Sequence, residues 1–267
     1  MGITVGFIGT GNMGGALARA VAKAISPQEI YLYDRCGEKA DALAKKLGCN
    51  SVSLMTVAQC NYIFLGVKPQ MMSELFAELA PVLAQRKDSF VLVSMAAGIP
   101  MVKIQELAGE RYPVIRIMPN MPVSVGEGMI LYDSTENVTQ EQQTVFRHCM
   151  QHAGILDKLS EDLIDAGTSV ASCGPAFAFL FIESLTRGGV ACGLSEDKAM
   201  LYAKQMLLGS ARLALESDMH PSELRQAVCS PGGSTIEGIY ALQNGRFSET
   251  VSDAVMASFK RNQELGK

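Results

Sequence analysis

Near the start of the chain lies the sequence VGFIGTGNMG, residues 5–14, in which an apolar run leads directly into the pattern G-x-G-x-x-G. The run predicts a buried strand, and the segment after it predicts a helix. In that setting the first glycine permits a tight turn, the second lets a pyrophosphate approach the backbone, and the third lets helix and strand pack closely. We therefore predict a dinucleotide site formed by Ile8, Gly9, Thr10, Gly11, Asn12, Met13 and Gly14. The alternative is a structural glycine turn in a flavodoxin-like sheet.

The first half of the chain repeats this order of strand and helix. Continuously apolar runs predict parallel strands buried on both faces, at residues 3–8, 30–34, 62–67, 90–94 and 114–117. Apolar residues at three- and four-residue steps predict helices between them, at residues 14–24, 38–47 and 69–83. Two further runs, 128–132 and 154–156, predict edge strands that could be antiparallel. The pattern indicates an α/β protein with an N-terminal Rossmann-type doubly wound sheet.

From about residue 161 the pattern becomes entirely helical. Helices are predicted at residues 161–187, 196–217, 221–229, 235–243 and 248–265, and Gly174-Pro175 should interrupt the first of them. We predict a dinucleotide-binding domain over residues 1–158 and an all-helical substrate-binding and dimerisation domain over 159–267. Because the second domain is rich in small and apolar residues, we expect a second subunit to complete its core.

Composition excludes several classes of function. A net charge of −4 over 267 residues argues against a nucleic-acid partner or an anionic membrane surface. The seven cysteines are irregularly spaced without C-x-x-C, which is typical of reduced thiols in a cytoplasmic protein. The longest apolar runs are too short to span a membrane, and no secretory leader is evident. His148 and His152 flank Cys149 but lack a further ligand pair, so we predict no metal site.

The second predicted strand ends in Tyr33-Asp34-Arg35, and Asp34 lies twenty residues after Gly14. An acid at this position usually accepts a hydrogen bond from the adenosine ribose, which favours NAD. An arginine beside it can pair with a 2′-phosphate, which favours NADP. Since Asp34 and Arg35 have opposite effects, the sequence leaves the cofactor as NADP or NAD. A turn or cap role for Asp34 is the alternative.

Two more strand ends lie at the same edge of the predicted sheet, where open α/β sheets bind their ligands. The small residues there would let a flat nicotinamide lie close to the backbone, while Lys68 could reach a phosphate or face solvent. The predicted cofactor contacts are Val67, Lys68, Pro69, Met95, Ala96 and Ala97.

The sequence SPGGSTIE, residues 230–237, predicts a second anion site. Ser234 and Glu237 match a capping box, so a helix should begin at Thr235. The glycine-rich loop before it offers N–H groups, and with the positive end of the helix these can hold a carboxylate. Thr235 would present its hydroxyl to the bound group. An ordinary capped turn is the alternative.

Several segments resemble the pyrroline-5-carboxylate reductase family. The most specific are VCSPGGSTIEG at residues 228–238, RIMPNMP at 116–122 and GPAF at 174–177. Less specific matches are VGFIGTGNMG at 5–14 and VKP at 67–69, which hydroxyacid dehydrogenases and imine reductases share. SMAAGI at 94–99 is a further match. Matches therefore run the length of the chain.

The resemblance implies a homodimer, often assembled as a decamer of five dimers, with the substrate site where subunits meet. It implies that Thr235 is the catalytic residue and hydrogen-bonds the imine nitrogen of a small-molecule substrate, pyrroline-5-carboxylate. The substrate carboxylate would be held by Ser230, Gly232, Gly233, Ser234 and Thr235. The family usually favours NADPH, but many relatives have small polar residues where Asp34 and Arg35 stand, so the preference stays open.

Two other functions remain alternatives. A β-hydroxyacid dehydrogenase or general imine reductase would share the architecture. The hydroxyacid enzymes usually need a lysine on the long interdomain helix, and residues 164–187 contain none. A non-catalytic dinucleotide sensor is the alternative from another class, but it would have no need of the 230–235 loop.

Overall fold

The computed structural model describes residues 2–265 and builds one sheet of eight strands from the first part of the chain. The strands are β1 Val5–Ile8, β2 Ile30–Tyr33, β3 Asn50–Ser51, β4 Tyr62–Leu65, β5 Val91–Ser94, β6 Val114–Met118, β7 Gly128–Ser134 and β8 Gly154–Lys158. Their order is β3-β2-β1-β4-β5-β6-β7-β8, and every pair is parallel except β6 with β7. The doubly wound sheet predicted from the sequence is confirmed. Of the two strands predicted at the edge, β7 lies inside the sheet, antiparallel to β6, and β8 forms the edge, parallel to β7.

Helices cover both faces of this sheet. They are α1 Asn12–Val21, α2 Gly37–Leu47, α3 Leu54–Val57, α4 Met72–Leu83, α5 Met101–Ala108 and α6 Gln140–Met150. Successive strand residues point to opposite faces, so β1 contributes Val5 and Phe7 to one core cluster and Ile8 to the other. Phe7 stacks on Phe64 of β4 with ring centroids 4.6 Å apart. Full burial of both faces explains why β1 and β4 are continuously apolar.

The second part of the described chain is helical, as predicted. Its helices are α7 Ile164–Ala171, α8 Gly174–Ala191, α9 Glu196–Glu216, α10 Pro221–Val228, α11 Ser234–Asn244 and α12 Phe247–Leu265. The predicted interruption at Gly174-Pro175 is present, because α7 ends at Ala171 and α8 begins at Gly174. Proline in the first turn of α8 lacks only an N–H that has no intrahelical acceptor there.

The chain divides into two compact units. One comprises the residues up to Cys173 together with those from Ser258 onward, and the other is Gly174–Ala257. The end of α12 joins the first unit because Asn262 donates hydrogen bonds to the Asp165 carbonyl and the Ser169 hydroxyl, at 3.3 and 3.2 Å. The two units are thus defined by which residues pack together, and not by a single cut in the sequence. The domain boundary between residues 158 and 159 stays a prediction.

A buried arginine ties the sheet to the start of α7. Arg116 on β6 is 4% exposed and pairs with Glu161 at 3.1 Å and with Asp165 at 3.5 Å. Glu161 also accepts a hydrogen bond from the Met101 N–H at 2.7 Å, and its own N–H donates to Asp133 at 2.8 Å. These contacts hold residues 161–165 against the ends of β6 and β7.

We expect Glu161→Ala to destabilise the protein by about 3 kcal/mol, the lower end of the range for removing one partner of a buried ion pair. The change leaves Arg116 with only the longer contact to Asp165. Urea unfolding monitored by circular dichroism measures the effect. Glu264→Ala, which removes an exposed pair with Arg261, is the matched control and should cost less than 1 kcal/mol. Equal losses in the two variants would contradict a structural role for Glu161.

One segment at the start of the helical part is strongly apolar. Glu161–Ala191 contains an 18-residue stretch with a mean hydropathy of 1.3, enough by length and composition alone to cross a membrane. Only 11% of its most apolar stretch is buried within the chain. Exposed apolar residues continue along α9 and α12, including Leu201, Leu208 and Met256 at 61%, 62% and 63% exposure. Much of the apolar surface of the helical unit is thus left uncovered by the described residues of one copy of the chain.

Candidate active site

The glycine turn between β1 and α1 lies where the strand order reverses, between β1 and β4. This switch point is where doubly wound sheets bind ligands. Gly9 has φ of +96°, a conformation that favours glycine, and its N–H donates to the Tyr33 carbonyl at 2.8 Å. Ile8, the last residue of β1, is buried beneath the turn, while Asn12 and Met13 open α1. The turn therefore brings the free N–H groups of α1 to the carboxyl edge of the sheet.

The three motif glycines have different surroundings. A Cβ on Gly9 would lie 2.7 Å from the Gly66 carbonyl oxygen, and one on Gly14 would lie 2.1 Å from the Gly9 carbonyl oxygen. A Cβ on Gly11 would meet no atom within 4 Å, because it would project into open space above the start of α1. Gly9 and Gly14 are thus required by packing. At Gly11 the absence of a side chain lets a ligand come close to the protein backbone. The turn therefore fits a dinucleotide pyrophosphate.

Asp34 is anchored to this turn. Its Oδ2 accepts hydrogen bonds from the Thr10 N–H at 2.7 Å and the Thr10 hydroxyl at 3.0 Å, and its Oδ1 accepts from the Cys36 N–H at 3.0 Å. Partial burial raises the pKa of Asp34, but these donors outweigh it and hold the pKa below its ordinary value. Asp34 is therefore an ionised, oriented acceptor at the end of β2.

A cleft of about 400 Å³ opens beside the turn. Seven of the predicted cofactor residues line it: Ile8, Gly9, Gly11, Asp34, Arg35, Val67 and Lys68. The cleft contains as many acidic as basic side chains, since Asp34, Glu74 and Glu78 face Arg35, Lys39 and Lys68. Its other walls are Tyr33, Leu54, Gly66, Met71 and Leu75. The structure therefore brings the predicted ends of β1, β2 and β4 together around one cavity.

Four predicted cofactor residues that follow β4 and β5 do not line the cleft. Pro69 begins a short 3-10 turn after Lys68. Met95, Ala96 and Ala97 follow β5, the strand beside β4, but Ala96 is buried and Ala97 packs against a small apolar cluster. The roles of these residues stay predictions.

Part of the cleft wall lies outside the predicted cofactor contacts. Gly66 approaches the turn so closely that a Cβ on it would lie 2.8 Å from the Gly9 carbonyl oxygen. Its position directly after an apolar run was the available signal. Glu74 and Glu78 are contributed by α4, and four-residue spacing along a helix places them on one face. Nothing in their spacing from β2 indicated that they would face Asp34 and Arg35.

The second predicted site lies in the helical unit, at the loop before α11. Gly232 has φ of +69°, and the Gly233 N–H donates to the Ser230 carbonyl at 3.0 Å, which closes a tight turn. Ser230, Ser234 and Thr235 are exposed. The first N–H groups of α11 have no intrahelical acceptor, so the loop offers donors and the positive helix end to an anion.

The predicted capping box at this loop is wrong. The helix begins at Ser234 and its N-cap is Gly233, with no side-chain cap hydrogen bond. Because Gly233 takes the extended cap conformation, Ser234 is the first helical residue and its hydroxyl does not close the turn. Thr235 is then the second helical residue, and both hydroxyls stay exposed for another partner.

The RIMPNMP segment has a structural function that the sequence did not reveal. Asn120 is buried, and its amide donates to the Ala171 carbonyl at 2.9 Å while its Oδ1 accepts from the Met129 N–H at 3.0 Å. Ser172 also donates to the Pro119 carbonyl at 3.3 Å. These bonds join the end of β6 to the end of α7 and the start of β7.

Among the described residues no group of three His, Cys, Asp or Glu could hold a metal ion.

A glycine turn at the switch point of a doubly wound sheet, with an all-helical unit after it, is the architecture of a dinucleotide-binding protein. Comparison with known proteins identifies the kind. Residues 161–265 match the family model for pyrroline-5-carboxylate reductase dimerisation, and residues 4–98 match the model for NADP oxidoreductase, coenzyme F420-dependent. The chain belongs to the pyrroline-5-carboxylate reductase family.

Relatives match over the full length. Pyrroline-5-carboxylate reductases from Pisum sativum and Escherichia coli are 35% and 33% identical over 266 and 267 residues, which is 98% of this chain and 96% and 98% of theirs. The structure of the Plasmodium falciparum pyrroline carboxylate reductase with NADP bound has a TM-score of 0.89 and 32% identity, over 99% of this chain and 98% of that one. The match to the dimerisation family also explains the exposed apolar helices. The matched region, residues 161–265, begins with the apolar segment Glu161–Ala191.

Proposed function

We propose that this protein reduces Δ1-pyrroline-5-carboxylate to L-proline with NADH or NADPH, the last step of proline biosynthesis. The observation that carries the proposal is the full-length similarity, at 35% identity, to a protein of that name. The anchored glycine turn of the first unit and the anion-binding loop of the second support it, because the reaction needs a dinucleotide and an anchored carboxylate.

The chemistry divides between the cofactor and the chain. When bound, the dihydronicotinamide would supply a hydride for the imine carbon of the ring, and the ring nitrogen carries the proton in the product. The protein must hold the substrate at a near-attack distance of about 3–3.5 Å. In our proposal the 230–235 loop, through Ser230, Gly232, Gly233 and Ser234, binds the carboxylate, since backbone N–H groups at a helix start bind anions.

Thr235 is the proposed catalytic residue. Its exposed hydroxyl lies in the first turn of α11 beside the carboxylate loop, where it can hydrogen-bond the ring nitrogen. A protonated imine is already a good electrophile, so no buried acid is needed. This agrees with the three histidines, His148, His152 and His220, all of which lie outside the two candidate sites.

The decisive assay follows cofactor oxidation at 340 nm with pyrroline-5-carboxylate and, separately, cofactor reduction with 3-hydroxy acids. We expect turnover with the cyclic imine alone. Turnover with a 3-hydroxy acid alone would favour a dehydrogenase. Cofactor binding without turnover of either substrate would favour the sensor. Either result would overturn the proposal.

We further propose a homodimer that assembles as a decamer of five dimers. A groove of about 620 Å³ lined by apolar residues of α8, α11 and α12, among them Phe177, Leu180 and Leu242, lies in the helical unit and offers a seat for a second copy. Sedimentation velocity distinguishes monomer, dimer and decamer, and a stable monomer would contradict this assembly.

We expect the double variant Leu201→Asp, Leu208→Asp to shift the protein toward monomer. The two leucines are seven residues apart on one exposed face of α9, so buried charges there would oppose association. Val102→Asp, at a 58% exposed site of α5 in the other unit, is the control and should leave assembly unchanged. Sedimentation velocity at several concentrations is the measurement. Unchanged assembly of the double variant would place the interface elsewhere.

We also propose a cytoplasmic location. All seven cysteines are free, and burial raises the pKa of Cys60 to about 12 and of Cys149 to about 11, so these two thiols are protonated and unreactive. A fluorescent fusion in the native host tests the location.

A further inference from the structure

We propose that the adenosine end of the cleft selects NADH over NADPH, because Asp34 is held in place as a ribose acceptor while Arg35 is engaged by Glu74. The inference rests on the proposed function for its reaction but concerns the dinucleotide alone. The sequence could not decide between the two cofactors, since Asp34 and Arg35 favour opposite ones. The contacts of each side chain resolve the conflict.

Asp34 is a built acceptor rather than a mobile surface acid. Three donors fix its carboxylate, two on Oδ2 from Thr10 and one on Oδ1 from Cys36. A carboxylate can accept about four hydrogen bonds, so one position on Oδ1 remains. Because Thr10 belongs to the glycine turn, the same contact sets the distance between the acid and the bound pyrophosphate. A ribose hydroxyl can use the remaining position, whereas a phosphate has no proton to donate in its dianionic form.

The charge on Asp34 persists at neutral pH. Burial raises the pKa of its carboxyl, but the hydrogen bonds from Thr10 and Cys36 and the charge of Lys39 lower it by more. The acid therefore cannot accommodate a 2′-phosphate by taking up a proton. A phosphate of nearly two negative charges beside it would be repelled.

Arg35 does not supply the compensating charge. Its guanidinium pairs with Glu74 of α4, with Nη1 3.3 Å from Oε1 and 3.5 Å from Oε2. Both side chains are largely exposed, so the pair itself is weak, and Arg35 is offset by the negative charge of Glu74 beside it rather than by the strength of the pair. With Asp34, Glu74 and Glu78 matching Arg35, Lys39 and Lys68, the cleft has no surplus of positive charge for a 2′-phosphate.

The test measures cofactor binding without substrate. Isothermal titration calorimetry of the wild-type protein with NADH and with NADPH should give at least a roughly tenfold lower Kd for NADH, the size expected of one partly screened like-charge contact. The same order should appear with the fragments 5′-AMP and adenosine 2′,5′-bisphosphate, which places the effect at the ribose. NADPH binding as tightly as NADH would overturn the inference.

Three variants separate the contribution of Asp34 to cofactor choice from that of Arg35. Asp34→Ser removes the charge and keeps a hydroxyl near the Thr10 and Cys36 N–H groups, so it should tighten NADPH binding and reduce the preference to about threefold or less. Glu74→Gln releases Arg35 and should tighten NADPH binding by several-fold, the order of an exposed pair. Glu78→Gln removes the same charge from the cleft without touching Arg35, so its gain should be smaller. Equal gains in the two glutamine variants would contradict the role of Glu74.

Kinetics distinguish a failure of this inference from a failure of the proposed function. If pyrroline-5-carboxylate is reduced but kcat/KM is higher with NADPH, the reductase stands and the cofactor inference is wrong. If NADH binds more tightly and neither cofactor supports reduction, the cofactor inference stands and the reductase is wrong. Loss of affinity for both cofactors in Asp34→Ser, with NADPH no tighter, would show that Asp34 only supports the turn.

Discussion

Thr235→Ala is expected to lower kcat/KM for pyrroline-5-carboxylate by roughly a hundredfold, the lower end of general-acid effects. Thr235 is exposed in the first turn of α11, next to a loop whose N–H groups suit a carboxylate. Its hydroxyl orients the ring nitrogen and can relay the nitrogen's proton in our proposal. Steady-state kinetics with saturating cofactor measure the loss, and calorimetry should show cofactor affinity within about twofold of wild type.

Two further substitutions separate the hydroxyl from its surroundings. Thr235→Ser keeps the hydroxyl and should retain most activity, whereas Thr235→Val keeps the shape and should lose as much as alanine. Ser234→Ala tests the neighbouring residue, which forms no cap hydrogen bond in α11, so the melting temperature should change little. Wild-type turnover in Thr235→Ala would refute the catalytic role while leaving the reductase intact.

The sheet was predictable because its signal is local. A strand buried on both faces is apolar at nearly every position: β1 and β4 are apolar over four residues each, and β5 is apolar up to the buried Ser94. The strand that was missed, β3, consists of Asn50 and Ser51. It pairs with β2 at the edge of the sheet, so no strand lies on its other side and polar residues are tolerated there. Its sequence therefore carries no apolar run.

The site was only partly predictable because its electrostatics depend on distant contacts. The spacing of Asp34 from the glycine motif follows from one β-α-β unit, so the acid could be placed from the sequence. Arg35 follows β2, and its partner Glu74 lies 39 residues further along the chain, on helix α4. No local pattern links those two positions. The incorrect capping box at Ser234 has a local cause, since a glycine that takes the extended cap conformation moves the helix start by one residue.

Replacing Gly11 is expected to remove cofactor binding without unfolding the protein. Gly11→Ser should raise the Kd for either dinucleotide by roughly a hundredfold, the cost of misplacing a bound group by about 1 Å. The added side chain meets no protein atom within 4 Å, so it occupies the open space that the pyrophosphate needs. Gly11 is the N-cap of α1 in an extended conformation, and serine is a favoured residue there. The melting temperature should therefore be unchanged or slightly raised.

Gly14→Ala is the matched control with the opposite outcome. Its Cβ would lie 2.1 Å from the Gly9 carbonyl oxygen in a buried contact, so either helix α1 or the turn must move. We expect a loss of about 3 kcal/mol, which lowers the melting temperature by roughly 6–12 °C in a chain of this size. Thermal unfolding and calorimetry on both variants give the comparison. If Gly11→Ser binds NADH as tightly as wild type, the pyrophosphate does not lie over this turn, and the cofactor half of the proposed site must be placed elsewhere.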